Sequence, residues 1–356
     1  MAKQSFIWDR IRRNSRFSLY LIVIWIILAL FASILAHEED SLSIPALIPY
    51  SATSIDFANA GAVGPFESQE VENVYHRHWL GTDELGRDVL SQLIHGSRTA
   101  LIVGLLSVLI SAIIGITLGM TAAYIGDEGL KVSKSRVIGI SFFGLLFLCY
   151  ITFIVPYSKI VFSQFLILLL LFALIFWLIL KLTKAPAGKR SNFPLDLIIG
   201  RMIEAMDSLP ILFLIISLSA IIRPSIYSVV LIIGISNWAK IARFARAETL
   251  KIKHSTYIES ARVIGLNRMQ ILWKHILPNA LPTLAVALAF NIAAAILIEA
   301  TLSFLGVGIA ADEASWGAML AEARRTPFAW WLAVFPGLAI FAVIYACNKL
   351  GETIAD

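Results

Sequence analysis

Apolar runs alternate with short polar breaks along nearly the whole chain. The runs fall at 17–36, 99–125, 137–155, 160–181, 203–222, 226–239, 281–304 and 330–348. Most are near the ~20 residues that a helix needs to cross a bilayer. The pattern predicts an all-α polytopic membrane protein with eight spans. Two of them, 137–155 and 160–181, are joined by Pro156-Tyr157-Ser158-Lys159 and read as a tight helical hairpin. The first run is long and lacks a small-residue cleavage site, so it reads as a retained anchor.

The polar breaks set the orientation. Residues 1–16 carry Lys3, Arg10, Arg12, Arg13 and Arg16 and form a basic tail on the cytoplasmic side. Residues 37–98 are acid-rich, broken by proline, glycine and serine, and read as an external segment. Lys131, Lys134 and Arg136, then Lys181, Lys184, Lys189 and Arg190, mark cytoplasmic breaks on either side of the hairpin. Residues 307–329 return outside, and both termini are expected inside.

The most informative break is 254–279. It reads as two short helices joined by a glycine. Thr256 and Glu259 have capping-box spacing, with Tyr257, Ala261 and Ile264 on one helical face. Gly265 supplies a left-handed residue after the first helix, and Asn267 with Gln270 starts the second. Met269, Leu272, Trp273 and Ile276 form an apolar face that Pro278 is expected to end. Arg262, Arg268, Lys274 and His275 make the other side basic. An ordinary positive-inside loop accounts for the charge but not for the caps.

Here the residues resemble a known pattern. Glu259-Ser260-Ala261, Gly265 and Leu277-Pro278 are similar to the "EAA…G…LP" loop of bacterial ABC importer permeases, with Ser260 in place of the usual Ala. His78 to Thr99 (HWLGTDELGRDVLSQLIHGSRT) resembles the "HPLGTDxxGRDVLSRLIxGxR" segment of the dipeptide, oligopeptide and nickel subfamily, with Trp79 replacing Pro. Its motif residues are Gly81, Thr82, Asp83, Gly86, Arg87 and Asp88. Residues 196–210 resemble "D…MRxxDxxxSxP", Glu299 to Gly306 resembles "EAxLSFLGxG", and Ser315 to Leu320 resembles "SWGxML".

The resemblance implies a type I ABC importer permease bundle: six core transmembrane helices within 99–350 and the first span, with the hairpin 132–192 as an insertion. Relatives pass from a segment like Ala122–Asp127 almost directly to one like Asp196–Pro210. It also implies that Thr256, Glu259, Ala261, Arg262, Gly265, Asn267, Leu277 and Pro278 couple the chain to an ATPase. The expected partners are two ABC ATPase subunits, a second homologous permease, an extracytoplasmic substrate-binding protein and the lipid bilayer of a bacterial inner membrane. ATP and magnesium would belong to the ATPases, with no cofactor in this chain. Peptides are the expected cargo, with nickel or glutathione as alternatives.

Composition agrees with the pattern. The chain is 58% hydrophobic and 15% charged, and its net charge of +5 is concentrated in certain loops, which reports topology rather than nucleic-acid binding. Cys149 and Cys347 lie inside apolar runs, without metal-ligand spacing. Asn291 and Glu299 share a helix face, and Asp207 sits near a membrane boundary, where it is placed to cap a helix broken at Pro210. These three are candidates for the translocation path or for bracing the bundle, with bracing favoured for Glu299. Gly81 and Gly86 imitate a Walker A loop, but Arg87 and Asp88 stand where Lys and Ser/Thr are required, and the aspartate repels phosphate. No catalytic residues and no metal ligands are expected. A secondary transporter would need repeats or broken helices at the midplane, and no motif occurs twice. A DNA-binding reading of residues 254–279 conflicts with spans closing on both sides.

Overall fold

The computed structural model describes residues 16–37, 46–127, 131–133, 190–220, 224–310 and 312–355. The basic tail up to residue 15, the hairpin spans 137–155 and 160–181, and Cys149 lie outside the described residues. In chain order the helices are α1 (Arg16–Leu35), α2 (Val89–Ile125), α3 (Leu195–Ser208), α4 (Ile211–Ser219), α5 (Ile226–Lys253), α6 (Thr256–Val263), α7 (Arg268–Ile271), α8 (Leu277–Phe304), α9 (Trp316–Arg325) and α10 (Trp331–Ala355). Five of these are long and apolar enough to cross a membrane, α7 and α8 counting as one, and α3 with α4 forms a sixth if the bent pair is one span. The protein is therefore an all-α polytopic membrane protein.

The chain divides into two compact units. The larger comprises residues 1–121 and 202–356. One apolar core in it joins α1, α2, α8, α9 and α10 through Trp25, Leu101, Ile296, Trp316, Met319 and Trp331. A second joins α2, α4, α5 and α8 through Val103, Ile215, Val229, Ile233 and Leu302. Helices touch closely where side chains are smallest: a Cβ on Gly119 would lie 2.3 Å from the Ala242 carbonyl oxygen of α5. The smaller unit covers 122–201. In it, β1 (Lys131–Ser133) pairs antiparallel with β2 (Arg190–Asn192), Lys131 opposite Asn192. Asp127 accepts the Leu197 N–H at 3.0 Å. These pairings bring the two ends of the segment between them together.

Four expectations change. The helix expected to begin at 99 begins at Val89, inside the segment assigned to the exterior. Asp88 explains the early start: its carboxylate accepts the Ser91 N–H at 2.7 Å and acts as the N-cap. The span at 203–222 is bent by 82° between α3 and α4. Pro210 breaks it as expected, but Asp207 caps nothing there. The α4 N-cap is Pro210 without a side-chain bond, and Asp207 instead pairs with Arg243 of α5. Residues 316–325, within the segment expected to return outside and given no element of its own, form α9, capped by Ser315. Finally, Pro278 does not end a helix. A π-helical turn over Leu272–Ile276 carries α7 directly into α8. Proline near a helix start costs no donor. The wider turn accommodates it, and Asn279 bonds the His275 carbonyl at 2.6 Å.

Candidate functional site

Two constructions stand out, at opposite ends of the sequence pattern. The first is the elbow α6–α7. Its turn is a complete Schellman motif: the Leu266 N–H bonds the Ala261 carbonyl at 3.2 Å, and the Gly265 N–H bonds Arg262 at 3.0 Å. Gly265 carries φ +89, as its position requires. Asn267 and Gln270 then form a reciprocal capping box, at 2.8 and 3.1 Å. The first box expected from sequence is absent. Ser255, not Thr256, is the N-cap of α6, and its hydroxyl bonds back to Ile252, so Thr256 is already helical and Glu259 is exposed in the first turn.

The apolar faces of the elbow divide differently from the sequence expectation. Ile258, Ala261, Ile271, Leu272 and Ile276 are buried. Tyr257, Val263, Ile264, Met269 and Trp273 are exposed, Val263 at 87%. Arg262, Asn267 and Pro278 are exposed beside them, and Leu277 is half-buried. The inner set fixes the elbow to its own chain and the outer set is presented outward.

The second construction is the motif at 81–88, expected outside from the sequence and folded as a largely buried polar network. Gly86 has φ +85, and a Cβ there would lie 2.1 Å from the Asp56 carbonyl oxygen; Gly81, at φ +82, is comparably tight. These turns aim the acids inward. Asp83 is fully buried: Oδ1 accepts the Leu85 and Arg87 N–H groups, each at 2.9 Å, and Oδ2 accepts Arg87 Nε at 2.6 Å and Gln92 Nε2 at 2.8 Å. Arg87 also pairs with Glu322 of α9. Burial and the Asp83 carboxylate push the Glu322 carboxyl up to about 7, against the pull of Arg87. Thr82 donates to the Asn59 carbonyl at 2.8 Å, and Trp331 Nε1 donates to the Thr82 carbonyl at 3.0 Å. His78 is buried between carboxylates, with Nδ1 at 2.9 Å from Asp88 and Nε2 at 3.2 Å from Asp56, under the Tyr50 ring at 4.2 Å. Two carboxylate partners favour the imidazolium form, in which both ring nitrogens donate. Burial works against that charge, but the Asp88 and Asp56 bonds outweigh it and raise the His78 pKa. For Asp56, burial is likewise outweighed, by bonds from Asn59, His78 and the Ala58 N–H, and its pKa falls.

The candidates inside the bundle do not converge. Asn291 is buried and bonds the Ala287 carbonyl of its own helix at 2.8 Å. Glu299 is buried and accepts Ser303 at 2.8 Å and Ser315 at 2.7 Å, which ties α8 to the cap of α9. A Cβ on Gly317 would lie 2.2 Å from the Ala300 carbonyl oxygen, so α9 lies directly on α8. Asp207 serves the α3–α5 pair. Among the described residues, no group of His, Cys, Asp and Glu is arranged to hold a metal. Sequence reasoning did not identify Asp56, His78 or Glu322 as members of a site. Their partners are up to 235 positions away, and no local spacing signals them.

Residues 185–353 match the family described as the inner membrane component of binding-protein-dependent transport systems. The glutathione transport permease GsiD of Pectobacterium atrosepticum is 32% identical over 280 residues, covering 78% of this chain and 71% of that protein. The chain belongs to this permease family. The di/tripeptide permease DppC of Pseudomonas aeruginosa is 30% identical, over 79% of this chain and 71% of its own. The dipeptide permease DppC of Bacillus subtilis is 28% identical, over 78% and 67%. Among solved structures, the methionine ABC transporter MetNI, in an inward-facing conformation, aligns with 74% of this chain and 96% of its own at 15% identity, with a TM-score of 0.45. The family match and the curated relatives make the chain a multi-pass permease subunit of a binding-protein-dependent transport system.

Proposed function

We propose that this permease moves di- or oligopeptides across the inner membrane, powered by two separate ATPase subunits that dock on the elbow. A second homologous permease completes the path, and an extracytoplasmic binding protein delivers the substrate. Both termini lie in the cytoplasm. The observation that carries the cargo reading is the names of the relatives, which are permeases for glutathione, dipeptides and di/tripeptides. The exposed apolar surface of the elbow, rimmed by Arg262 and Arg268, supports the ATPase reading, since a contiguous exposed apolar patch marks an interaction surface. ATPase closure then pushes on a part that its Schellman turn and capping box hold rigid, and this biases the bundle between inward- and outward-open states.

The test is uptake by proteoliposomes carrying the whole importer with its binding protein. ATP-dependent accumulation of labelled tri-alanine, with glutathione and nickel ion in parallel, distinguishes the cargo classes. Accumulation of nickel without either peptide would overturn the peptide reading.

A further inference from the structure

The larger unit holds a cavity of about 390 Å³ whose lining carries both signs of charge. Asp312, Glu313 and Arg98 line it, with Thr53, His95 and Tyr227 among the remaining residues. A neighbouring cavity of about 530 Å³ shares Ala52, Thr53, Asp312, Glu313 and Ala314, and extends toward Glu322 and Arg325. Both volumes fall in the range of small-ligand sites.

The acidic wall is held in place. Thr99 donates to the Ala314 carbonyl at 2.7 Å, and Glu299 holds Ser315 one residue on, so Glu313 sits beside two anchored residues. One part of its carboxylate accepts the Ile226 N–H at the start of α5. That bond explains why an acid is tolerated there, but among the described residues Oε2 is buried without a hydrogen-bond donor. Burial first, and then Asp312, raise the Glu313 pKa, so a cation there would be welcome. Arg98 donates to Ser33 Oγ at 3.0 Å from Nη1, and a guanidinium has further N–H groups to offer. Since the side chain is exposed, they are within reach of an incoming anion.

We propose that this cavity receives a zwitterionic peptide, its ammonium end against Glu313 and Asp312 and its carboxylate end against Arg98. The inference rests on the peptide reading and adds a recognition site on the permease itself. Both ends of the ligand are specified by charge and its middle by size only, as a carrier of varied peptides requires.

The test places a reporter at the rim shared by the two cavities. In the assembled importer, with Cys149 and Cys347 replaced by Ser, Thr53→Cys is labelled from outside with a maleimide while tri-alanine is titrated. At ten times its dissociation constant, bound peptide should slow labelling about ten-fold. N-acetylated and C-amidated tri-alanine should protect poorly, and Glu313→Gln or Arg98→Gln should abolish protection by the free peptide. Labelling that stays constant while the same vesicles import tri-alanine would overturn the site and leave the peptide reading intact. Equal protection by capped and free peptides would also overturn it, as would a thiol that reacts only when the partner subunits are removed. Failure of the wild type to import any peptide would instead count against the underlying reading.

Discussion

The elbow and the external network invert each other's physics. In the elbow, charged and capping side chains are exposed, the decisive hydrogen bonds span three to five residues, and one of the two apolar sets is exposed as well. In the network, His78, Asp83 and Asp88 are buried, Asp56, Arg87 and Glu322 are half-buried, and several partners come from distant parts of the chain: Arg87 with Glu322, Trp331 with Thr82, His78 with Asp56. A surface built from local bonds keeps its shape alone and is available to a partner. A core of long-range ion pairs holds segments together and cannot be trimmed without loss, because removing one member strands the others in a dry environment. Substitutions in the network should therefore cost stability, and substitutions in the elbow should cost coupling.

The largest effect should come from the network. Asp83→Ala removes both acceptors from Arg87 and Gln92 in a fully buried site. Breaking a buried ion pair from one side costs about 3–5 kcal/mol. Thermal unfolding of the purified importer should shift strongly downward, with the detergent-solubilised yield reduced. An unchanged melting profile would break the comparison, since it would place Asp83 in water.

Next is the elbow. Gly265→Val puts a β-branched residue at φ +89, where no neighbouring atom lies within 4 Å of the new Cβ, so the penalty is backbone strain rather than a clash. Such strain costs about 1–3 kcal/mol and falls on the junction between α6 and α7. Glu259→Lys reverses a charge in the first turn of α6, worth about 0.3–1 kcal/mol at a helix N-terminus. Both variants should insert and melt nearly normally, yet lose ATPase co-purification or substrate-stimulated hydrolysis. Wild-type stimulation in both would reduce the elbow to a basic loop.

A third expectation concerns the segment between β1 and β2. Because Lys131 and Asn192 already sit opposite each other, removing 134–189 and joining the strands by a short turn leaves their pairing available. We expect the shortened chain to insert and to retain part of its transport. Complete loss of transport in a complex that still assembles would assign the segment a direct role.

What the sequence revealed follows the same division. The Schellman glycine, the Asn267 box and the break at Pro210 were legible because each depends on residues within a turn of one another, and the described spans because each is one continuous apolar run. The π-helical continuation past Pro278 was not, since a proline reads as a stop unless the preceding turn is known to widen. Asp207 was given the wrong partner: Arg243 is 36 positions on, and only packing brings it there. For the external motif the residues were visible as a pattern, while their role as a buried network depended on α9 and α10, more than 200 positions away.

The smallest expected effect is a pH dependence that separates the two regions. His78 has a raised pKa in the folded protein, so its stabilising contribution is complete below its ordinary value near 6.5 and is lost as pH rises through the raised folded value. Asp56, facing it, behaves oppositely at the acid end: with its lowered pKa it contributes above its ordinary value near 3.8 and weakens as pH falls through the lowered one. The external segment should therefore be tightest between mildly acidic and neutral pH and should loosen on the alkaline side, when the imidazolium loses the proton it donates to one of its two acids. Limited proteolysis of residues 46–88 from the outside, followed across that range, should accelerate as His78 deprotonates. In His78→Gln the segment should be cleaved faster at neutral pH, and the alkaline step attributed to His78 should disappear. The elbow lacks any comparable buried imidazolium, so ATPase attachment should not follow the same step. A matching alkaline loss of ATPase binding in the wild type, abolished by His78→Gln, would show that the two regions are coupled rather than independent.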